Sequence, residues 1–188
     1  MKVEIHNSPI SANLINEIQP FMAACWRDTY ADTLGRETVE RLVAKLGNGS
    51  LADDLPGIGE TLVLIRDGGS IIATCIYIFG ENGGAVWGLY IKRSYQRQGL
   101  GSQLLRIVAE AGEQGDTIQL LALQDSSQAI NFYLRNQFVI QEQITTELVP
   151  GIEAQCLHLS TPIEALLSTI PPARALDMTW SKSATACG

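Results

Sequence analysis

The chain has 188 residues, of which 46% are hydrophobic and 18% charged, and its formal net charge is −7. This length allows one substantial core and is short for two full domains. The acidic balance disfavours general binding to nucleic acid, because phosphate backbones repel it. No apolar run reaches membrane-spanning length, and residues 1–6 lack the basic and apolar regions of a secretory signal. We therefore expect a cytoplasmic protein with no membrane partner.

The cysteines are scattered along the chain, with no CxxC pair and no regular spacing, at Cys25, Cys75, Cys156 and Cys187. The two histidines neighbour no cysteine or carboxylate at a metal-ligand spacing. We expect buried, reduced thiols that act as small apolar side chains, and no metal.

The first part of the chain is predicted to be helical. Apolar residues recur at helical spacing from Leu14 to Trp26, and Pro20 is expected to start or kink a turn there. A second helix is predicted over residues 36–46 and ends at the glycines that follow. Residues 50–60 are rich in Asp, Pro and Gly and predict a loop.

Three strands are predicted next. Residues 61–66 and 71–79 are apolar and β-branched, and the Asp67-Gly68-Gly69 turn between them indicates a hairpin. A second turn leads into a strand over residues 85–91, so the three strands are expected to meander antiparallel.

The remaining elements alternate between helix and strand. They are predicted as a helix over residues 100–111, a strand over 117–123, a helix capped by Ser126 or Ser127, and strands over 138–146 and 153–159. Prolines punctuate the chain beyond Ser160. We therefore expect one domain over residues 1–160. The extension over 161–188 is predicted to form a short helix and then a flexible tail or partner-binding arm.

A glycine-containing loop lies between the third predicted strand and the next helix, with the sequence Gln96-Arg97-Gln98-Gly99-Leu100-Gly101. Its glycines allow a close backbone approach, and the free amides of a helix start favour an anion such as a diphosphate. Arg93, Arg97 and the Ser102 hydroxyl are placed to add to such a site. A plain strand-to-helix turn is the alternative. No Lys-Ser/Thr follows as in a Walker loop, and the third Rossmann glycine is absent.

Two motifs in this context carry a family resemblance. Residues Trp87–Leu105 resemble the central Gln/Arg-x-x-Gly-x-Gly/Ala motif of the GCN5-related N-acetyltransferases (GNAT), and Ala129–Phe138 resemble the family's Ala-x-x-Phe-Tyr-x-x-x-x-Phe run. The resemblance covers roughly residues 1–160. It implies an α/β fold with a mixed, mostly antiparallel central sheet of about six to seven strands and helices on both faces.

The resemblance also implies roles for individual residues. Acetyl-CoA would lie in a splay between the strands at 85–91 and 117–123, with Leu89, Tyr90 and Ile91 offering backbone groups to it. The loop and Ser102 would hold the pyrophosphate, and Tyr133 would protonate the departing CoA thiolate after direct attack by an amine. A phenol near the sulfur is suited to that donation. An aromatic pair such as Phe132-Tyr133 is otherwise core.

The chain departs from the family pattern at three places. Ser126 stands where many members have an asparagine that contacts the cofactor, and Gln137 stands where a glycine is usual. Leu121 occupies the position of the glutamate that some members use as a general base. Glu81 and Asp125 are therefore candidate bases, although each is also explained as a solvated surface carboxylate. Asp28 and Asp32 are further candidates.

The acceptor is expected to be a small-molecule amine or a peptide N-terminus. The aromatic residues Trp26, Tyr30, Trp87 and Tyr90 are candidates to line its pocket, although ordinary core packing is the favoured interpretation of Trp26. A non-catalytic acyl-CoA-binding or sensing module on the same fold is the main alternative. A structural domain whose tail docks onto a second subunit, as in a homodimer, is left open.

Overall fold

The computed structural model describes residues 1–47, 56–81, 83–149, 151–172 and 177–181, which form one eight-stranded sheet and five α-helices. In chain order the elements are β1 (Lys2–Asn7), α1 (Ala12–Leu34), α2 (Arg36–Gly47), β2 (Thr61–Asp67), β3 (Ser70–Gly80), β4 (Gly83–Ile91), α3 (Leu100–Ala111), β5 (Thr117–Leu123), α4 (Ser127–Arg135), β6 (Val139–Val149), β7 (Ile152–Pro162), α5 (Ile163–Thr169) and β8 (Asp177–Ser181).

The strand order across the sheet is β6-β7-β5-β4-β3-β2-β1-β8. Neighbouring strands are antiparallel except in the β4–β5 and β1–β8 pairs, which are parallel. The predicted class, a mixed and mostly antiparallel α/β sheet, is confirmed. The sheet has eight strands, two more than the six placed along the sequence, because neither β1 nor β8 was expected.

Helices cover both faces of the sheet, and β2 shows why. Val63 and Ile65 point to the core beneath α3 and α5, whereas Leu62 and Leu64 point to the core beneath α1 and α2. Successive strand residues face opposite sides, so a strand buried on both faces reads as a continuous apolar run. This explains why β2 was recognisable without an alternating pattern.

The first helix is longer and more continuous than its sequence suggested. Ser11 caps it by accepting a hydrogen bond from the Leu14 amide at 3.3 Å, and it ends at Gly35. Pro20 lies inside α1 and does not start it. Cys25, Cys75 and Cys156 are buried and free, as expected of apolar thiols, while Cys187 and residues 50–55 of the predicted loop lie outside the described residues.

The segment after β7 packs back onto the domain. The Arg106 guanidinium donates hydrogen bonds to the carbonyls of Leu167 and Ile170 at the end of α5, and Gln103 Nε2 donates to Pro171 O at 3.3 Å. Residues 177–181 then pair with β1 as strand β8, so this part of the predicted tail belongs to the sheet. The domain boundary at residue 160 stays a prediction.

The sheet opens between its two central strands. The parallel pair β4–β5 is registered at only two positions, Gly84 with Ile118 and Ala85 with Gln119, and the strands part beyond them. On its other side β4 stays paired with β3 through Ile91, with a register shift near Thr74. The opening therefore lies at the carboxyl ends of β4 and β5.

A bulge in β4 accompanies this opening. Gly88 has a φ of +59°, and a Cβ there would lie 3.0 Å from Ile76 Cδ1, so the position suits glycine on both counts. The hydroxyl of Thr74, which is 1% exposed, donates to Gly88 O at 2.7 Å. This hydrogen bond satisfies a carbonyl that the irregular ladder would leave unpaired.

Among the described helices, none is long and apolar enough to cross a membrane.

We expect Thr74→Val to destabilise the protein by about 1–3 kcal/mol, because the Gly88 carbonyl loses its partner inside the core. Urea denaturation measures this change, with Thr74→Ser as the control that keeps the hydroxyl. Equal stability of the valine and serine variants would contradict the role given to this hydrogen bond.

Candidate active site

The loop between β4 and α3 has the backbone of an anion cradle. Arg97 and Gly99 adopt left-handed conformations, with φ of +64° and +83°, which turns successive amides toward one side. The first amide to bond within the α3 backbone is that of Gln103, which donates to Gly99 O at 3.0 Å. The amides of Leu100, Gly101 and Ser102 precede it and lack helical acceptors. Their positive end suits a phosphate group.

Polar side chains of the loop form hydrogen bonds that hold its conformation. Gln96 Nε2 donates to Ile91 O at 3.1 Å, and Gln98 Nε2 donates to Ser94 O at 3.2 Å. The Tyr95 hydroxyl donates to Asp67 Oδ2 at 3.0 Å. The predicted contribution of Gln96 and Gln98 to ligand binding would therefore come from their backbone, whereas Arg97 is exposed and available as a cation.

The first turn of α3 also faces helix α4. A Cβ at Gly101 would stand 2.8 Å from Phe132 Cζ, so the glycine makes room for an aromatic ring of this chain. The Ser102 hydroxyl, predicted to reach the pyrophosphate, donates instead to Asn136 Oδ1 at 2.9 Å. Gly101 and the side chain of Ser102 thus pack against α4, whereas the backbone amides of the first α3 turn stay available to an anion.

The wall of the opening on the β4 side is backbone. Leu89 and Ile91 pack toward the core beneath α3, and Tyr90 packs toward the core beneath α1. Past Ala85 the β4 edge that faces β5 has no ladder partner. The peptide groups of residues 89–91 on that edge are placed to bond an extended ligand, as a strand would.

Tyr133 lies on α4, the helix that follows β5. Its ring makes edge contacts with Phe132 and Phe138, at centroid distances of 5.1 and 5.4 Å. Burial raises the pKa of the Tyr133 phenol above its ordinary value, and the nearby Cys75 and Tyr30 raise it further. The phenol is therefore protonated through the neutral and mildly alkaline range, which suits a hydrogen-bond donor.

Ser126 lies on the β5 side of the opening. It stands at the start of α4, just after β5, and its Oγ is buried with no hydrogen-bond partner among the described residues. A buried hydroxyl without a partner is unusual and calls for a ligand or water. This observation fits the cofactor contact predicted at Ser126.

The two candidate bases lie at opposite ends of the β4–β5 pair. Glu81 is exposed in the turn before β4, six residues before Trp87, so about 20 Å of strand separates them. The structure does not bring Glu81 to the opening. Asp125 is exposed in the turn after β5, at the edge that also carries the loop.

Aromatic side chains of α1 and β4 meet on the opposite face. The hydroxyls of Tyr30 and Tyr90 lie 3.2 Å apart, and the Trp26 and Tyr90 rings make an edge contact at 6.4 Å. Trp26 is 4% exposed and is part of the core, as its alternative interpretation held, whereas Tyr30 and Tyr90 are half-buried.

His158 is a residue that sequence reasoning missed. It pairs across strands with Leu121, so the two side chains share a face, and Leu121 is 51% exposed there. His158 Nε2 lies 3.1 Å from Gln119 Oε1, and Nδ1 lies 3.5 Å from Glu142 Oε1. No local motif marks this histidine, because only the register of β5, β7 and β6 brings His158 together with Gln119 and Glu142.

Known proteins share this architecture. Residues 58–140 match the family model of the acetyltransferase (GNAT) domain. The PaiA N-acetyltransferase of Thermoplasma acidophilum, solved in complex with coenzyme A, is 18% identical with a TM-score of 0.65, over 86% of this chain and 99% of that one. The ribosomal-protein-S18-alanine N-acetyltransferase of Escherichia coli is 16% identical with a TM-score of 0.56, over 86% and 94%.

A third similar structure is a spermidine N-acetyltransferase chimera of Vibrio cholerae SpeG and hSSAT, 13% identical with a TM-score of 0.57, over 89% of this chain and 99% of that one. A sequence search of curated proteins gave no significant match. At these identities the solved structures establish the fold. Together with the family model over residues 58–140 they confirm the predicted resemblance to the GNAT family.

We expect Gly99→Asp to weaken coenzyme A binding about 10-fold or more relative to Gly99→Asn, because the added carboxylate repels a phosphate in the cradle. The asparagine variant is the matched control: it has the same shape, and Asn tolerates a positive φ. No atom lies within 4 Å of a Cβ at this position, so the Cβ of either variant meets no clash. Isothermal titration calorimetry measures both affinities, and equal affinities would contradict an anion site here.

Proposed function

We propose that this protein moves an acetyl group from acetyl-CoA to an amine, by direct attack within a ternary complex. One observation carries the proposal: at the end of the opening between β4 and β5, the start of α3 presents amides without helical acceptors, and the neighbouring helix α4 carries Tyr133, whose pKa is raised by burial. These are the parts needed to hold an acyl-CoA and to release its thiolate. The family match supports acyl transfer in general.

The donor would be held mostly by backbone. The amides of residues 97–102 would bind the pyrophosphate, with Arg97 adding a charge. The β4 backbone at Leu89, Tyr90 and Ile91, past the two positions registered with β5, would bind the pantetheine and the acetyl carbonyl. The unpartnered Ser126 hydroxyl would supply a further contact from the β5 side.

The chemistry follows from the burial of the site. The amine nitrogen attacks the acetyl carbon, the C–N bond forms, and the C–S bond breaks with its electron pair left on sulfur. Burial raises the pKa of the Cys75 thiol, because a thiolate in the apolar core would lose its solvation. A CoA thiolate formed nearby would be basic for the same reason, and Tyr133 would give it a proton.

The amine must lose a proton before it attacks, and Leu121 offers no carboxylate for this step. Asp125, at the open edge, is the carboxylate that the proposal retains as base, acting directly or through water. Glu81, across the length of β4, is left without a role. Attack by an amine that reaches the site already neutral would need no base.

The acceptor in this proposal is a small-molecule amine or a peptide N-terminus. The Tyr30 and Tyr90 hydroxyls would line its pocket, where phenol oxygens can accept hydrogen bonds from an amine. A non-catalytic acyl-CoA sensor remains the second candidate. The observation that favours it is the exposed leucine at position 121, where some family members have a base.

The deciding experiment measures CoA release from acetyl-CoA with a panel of polyamines, amino acids, aminoglycosides and peptides, alongside calorimetric binding of CoA. Turnover with an amine supports the transferase. Binding without turnover on every class supports the sensor, and absence of CoA binding removes both.

We expect Tyr133→Phe to lower kcat about 100-fold, within the range for loss of a general acid, while CoA affinity stays within about twofold. Tyr77→Phe is the matched control, since Tyr77 is a core tyrosine on β3 that contacts Phe79. An unchanged kcat in Tyr133→Phe would remove the phenol from the mechanism.

The pH dependence of kcat tests the same group. A raised pKa means that Tyr133 keeps its proton to higher pH than an ordinary phenol, so the active form should persist to about pH 10 or above. We expect kcat to rise with pH as the amine deprotonates and to fall only beyond that value. A Tyr133-dependent decline that begins near neutral pH would contradict this assignment.

A further inference from the structure

Asn136 is a buried polar residue in the α4 helix end, three positions after Tyr133. It is 6% exposed, and its Nδ2 donates to Phe132 O at 2.8 Å. The backbone N–H of Asn136 donates to the carbonyls of Phe132 and Tyr133, at 3.2 and 2.9 Å. Its remaining side-chain atom, Oδ1, accepts the hydrogen bond from Ser102 Oγ at 2.9 Å. Every polar atom of the side chain is thus used, as burial demands.

Ser102 connects two parts of the site. Its amide is the third of the three that open α3 in the anion cradle, and its hydroxyl is committed to Asn136. The neighbouring residue makes a second contact between the same helices, because Gly101 lies directly against the Phe132 ring. The first turn of α3 is therefore joined to α4 by one hydrogen bond and one close packing contact.

We infer that Asn136 is a positioning residue: with Ser102 it fixes α4 against the start of α3 and thereby sets the place of the Tyr133 phenol. The inference rests on the proposed function, in which Tyr133 protonates the thiolate. The cradle and the proton donor are then parts of one rigid unit. A diphosphate bound at the α3 amides and a phenol on α4 keep a fixed separation, which the length of the pantetheine arm requires.

The competing interpretations are that the Ser102 hydroxyl serves the phosphate, as the sequence suggested, or that Asn136 only stabilises the helix end. They predict different kinetics. Loss of a phosphate contact raises the Kd for CoA, whereas misplacement of the phenol lowers kcat at saturating substrate.

The first experiment measures kcat and CoA affinity in Ser102→Ala and Asn136→Ala. We expect kcat to fall about 10-fold in each, since small displacements of a reacting group are costly, and CoA affinity to stay within about twofold. The double variant should lose little more than either single one, because both remove the same hydrogen bond. Ser102→Thr, which keeps the hydroxyl, should lose much less. Ser168→Ala removes a serine hydroxyl that bonds a helical carbonyl in α5 and is the control.

The second experiment repeats Ser102→Ala in the Tyr133→Phe background. Because the proposed contact acts through the phenol, its removal should have no further effect on kcat there. An equal loss in both backgrounds, or a weakened CoA affinity with kcat intact, would overturn the inference.

A third measurement is independent of turnover. Alkaline difference absorbance between the protein and Tyr133→Phe follows ionisation of the Tyr133 phenol alone. Loosening of α4 should let this phenol ionise at lower pH in Ser102→Ala and Asn136→Ala than in the unsubstituted protein. The shift is expected even if no amine is acetylated, so failure of the proposed function and failure of this inference are distinguishable. An unchanged titration in both variants counts against the positioning role.

Discussion

The parting of β4 from β5 is the constraint on which the rest of the site depends. Two registered positions hold the parallel pair together, and beyond them each strand has an edge without a ladder. Leaving backbone groups of a sheet unpaired is costly unless something else bonds them. The structure compensates on the closed side, where the Thr74 hydroxyl satisfies the Gly88 carbonyl at the bulge. On the open side, the β4 backbone past Ala85 has the geometry to bond an extended ligand.

In this chain of net charge −7, the loop before α3 presents peptide dipoles that suit an anion. The amides at the start of α3 lack helical acceptors, and the left-handed residues Arg97 and Gly99 orient the loop amides before them. The Gln96 and Gln98 side chains bond backbone carbonyls of the loop and its preceding strand. Local backbone geometry can thus attract phosphate within a surface that is acidic on average, because helix-end dipoles act over short distances.

The departures from the family pattern have different structural consequences. Gln137 keeps a left-handed backbone, with φ of +67°, at a position where the family has glycine, and a non-glycine residue there costs about 1–2 kcal/mol. The preceding Asn136 bonds both α4 and Ser102, which helps to hold this strained turn. At Leu121 the consequence is chemical, since an exposed leucine cannot take a proton. His158 pairs with Leu121 across β5 and β7, so the sheet face at Leu121 carries an imidazole instead of a carboxylate.

Local patterns in the sequence determined much of this protein. Apolar periodicity located α1, α2 and α3, and the turn at Asp67-Gly68-Gly69 fixed the β2–β3 hairpin, because these signals act between residues close in the chain. The Gly99 loop and the Phe132-Tyr133 pair indicated a CoA site for the same reason. Strand β1 carried an alternating signal at Val3 and Ile5 but is only six residues long, and β8 forms by parallel pairing with the opposite end of the chain.

Only the tertiary structure decided which groups face one another. The side chain of Ser102 meets Asn136 across 34 residues, and the ring of Phe132 fills the space above Gly101. The tertiary structure also places Glu81 at the end of β4 opposite the loop, and it pairs His158 with Leu121 across the sheet. Such contacts depend on strand register and helix packing, which bring together residues far apart in the chain. A local pattern predicts that a loop can bind an anion, whereas packing between helices determines where Tyr133 lies.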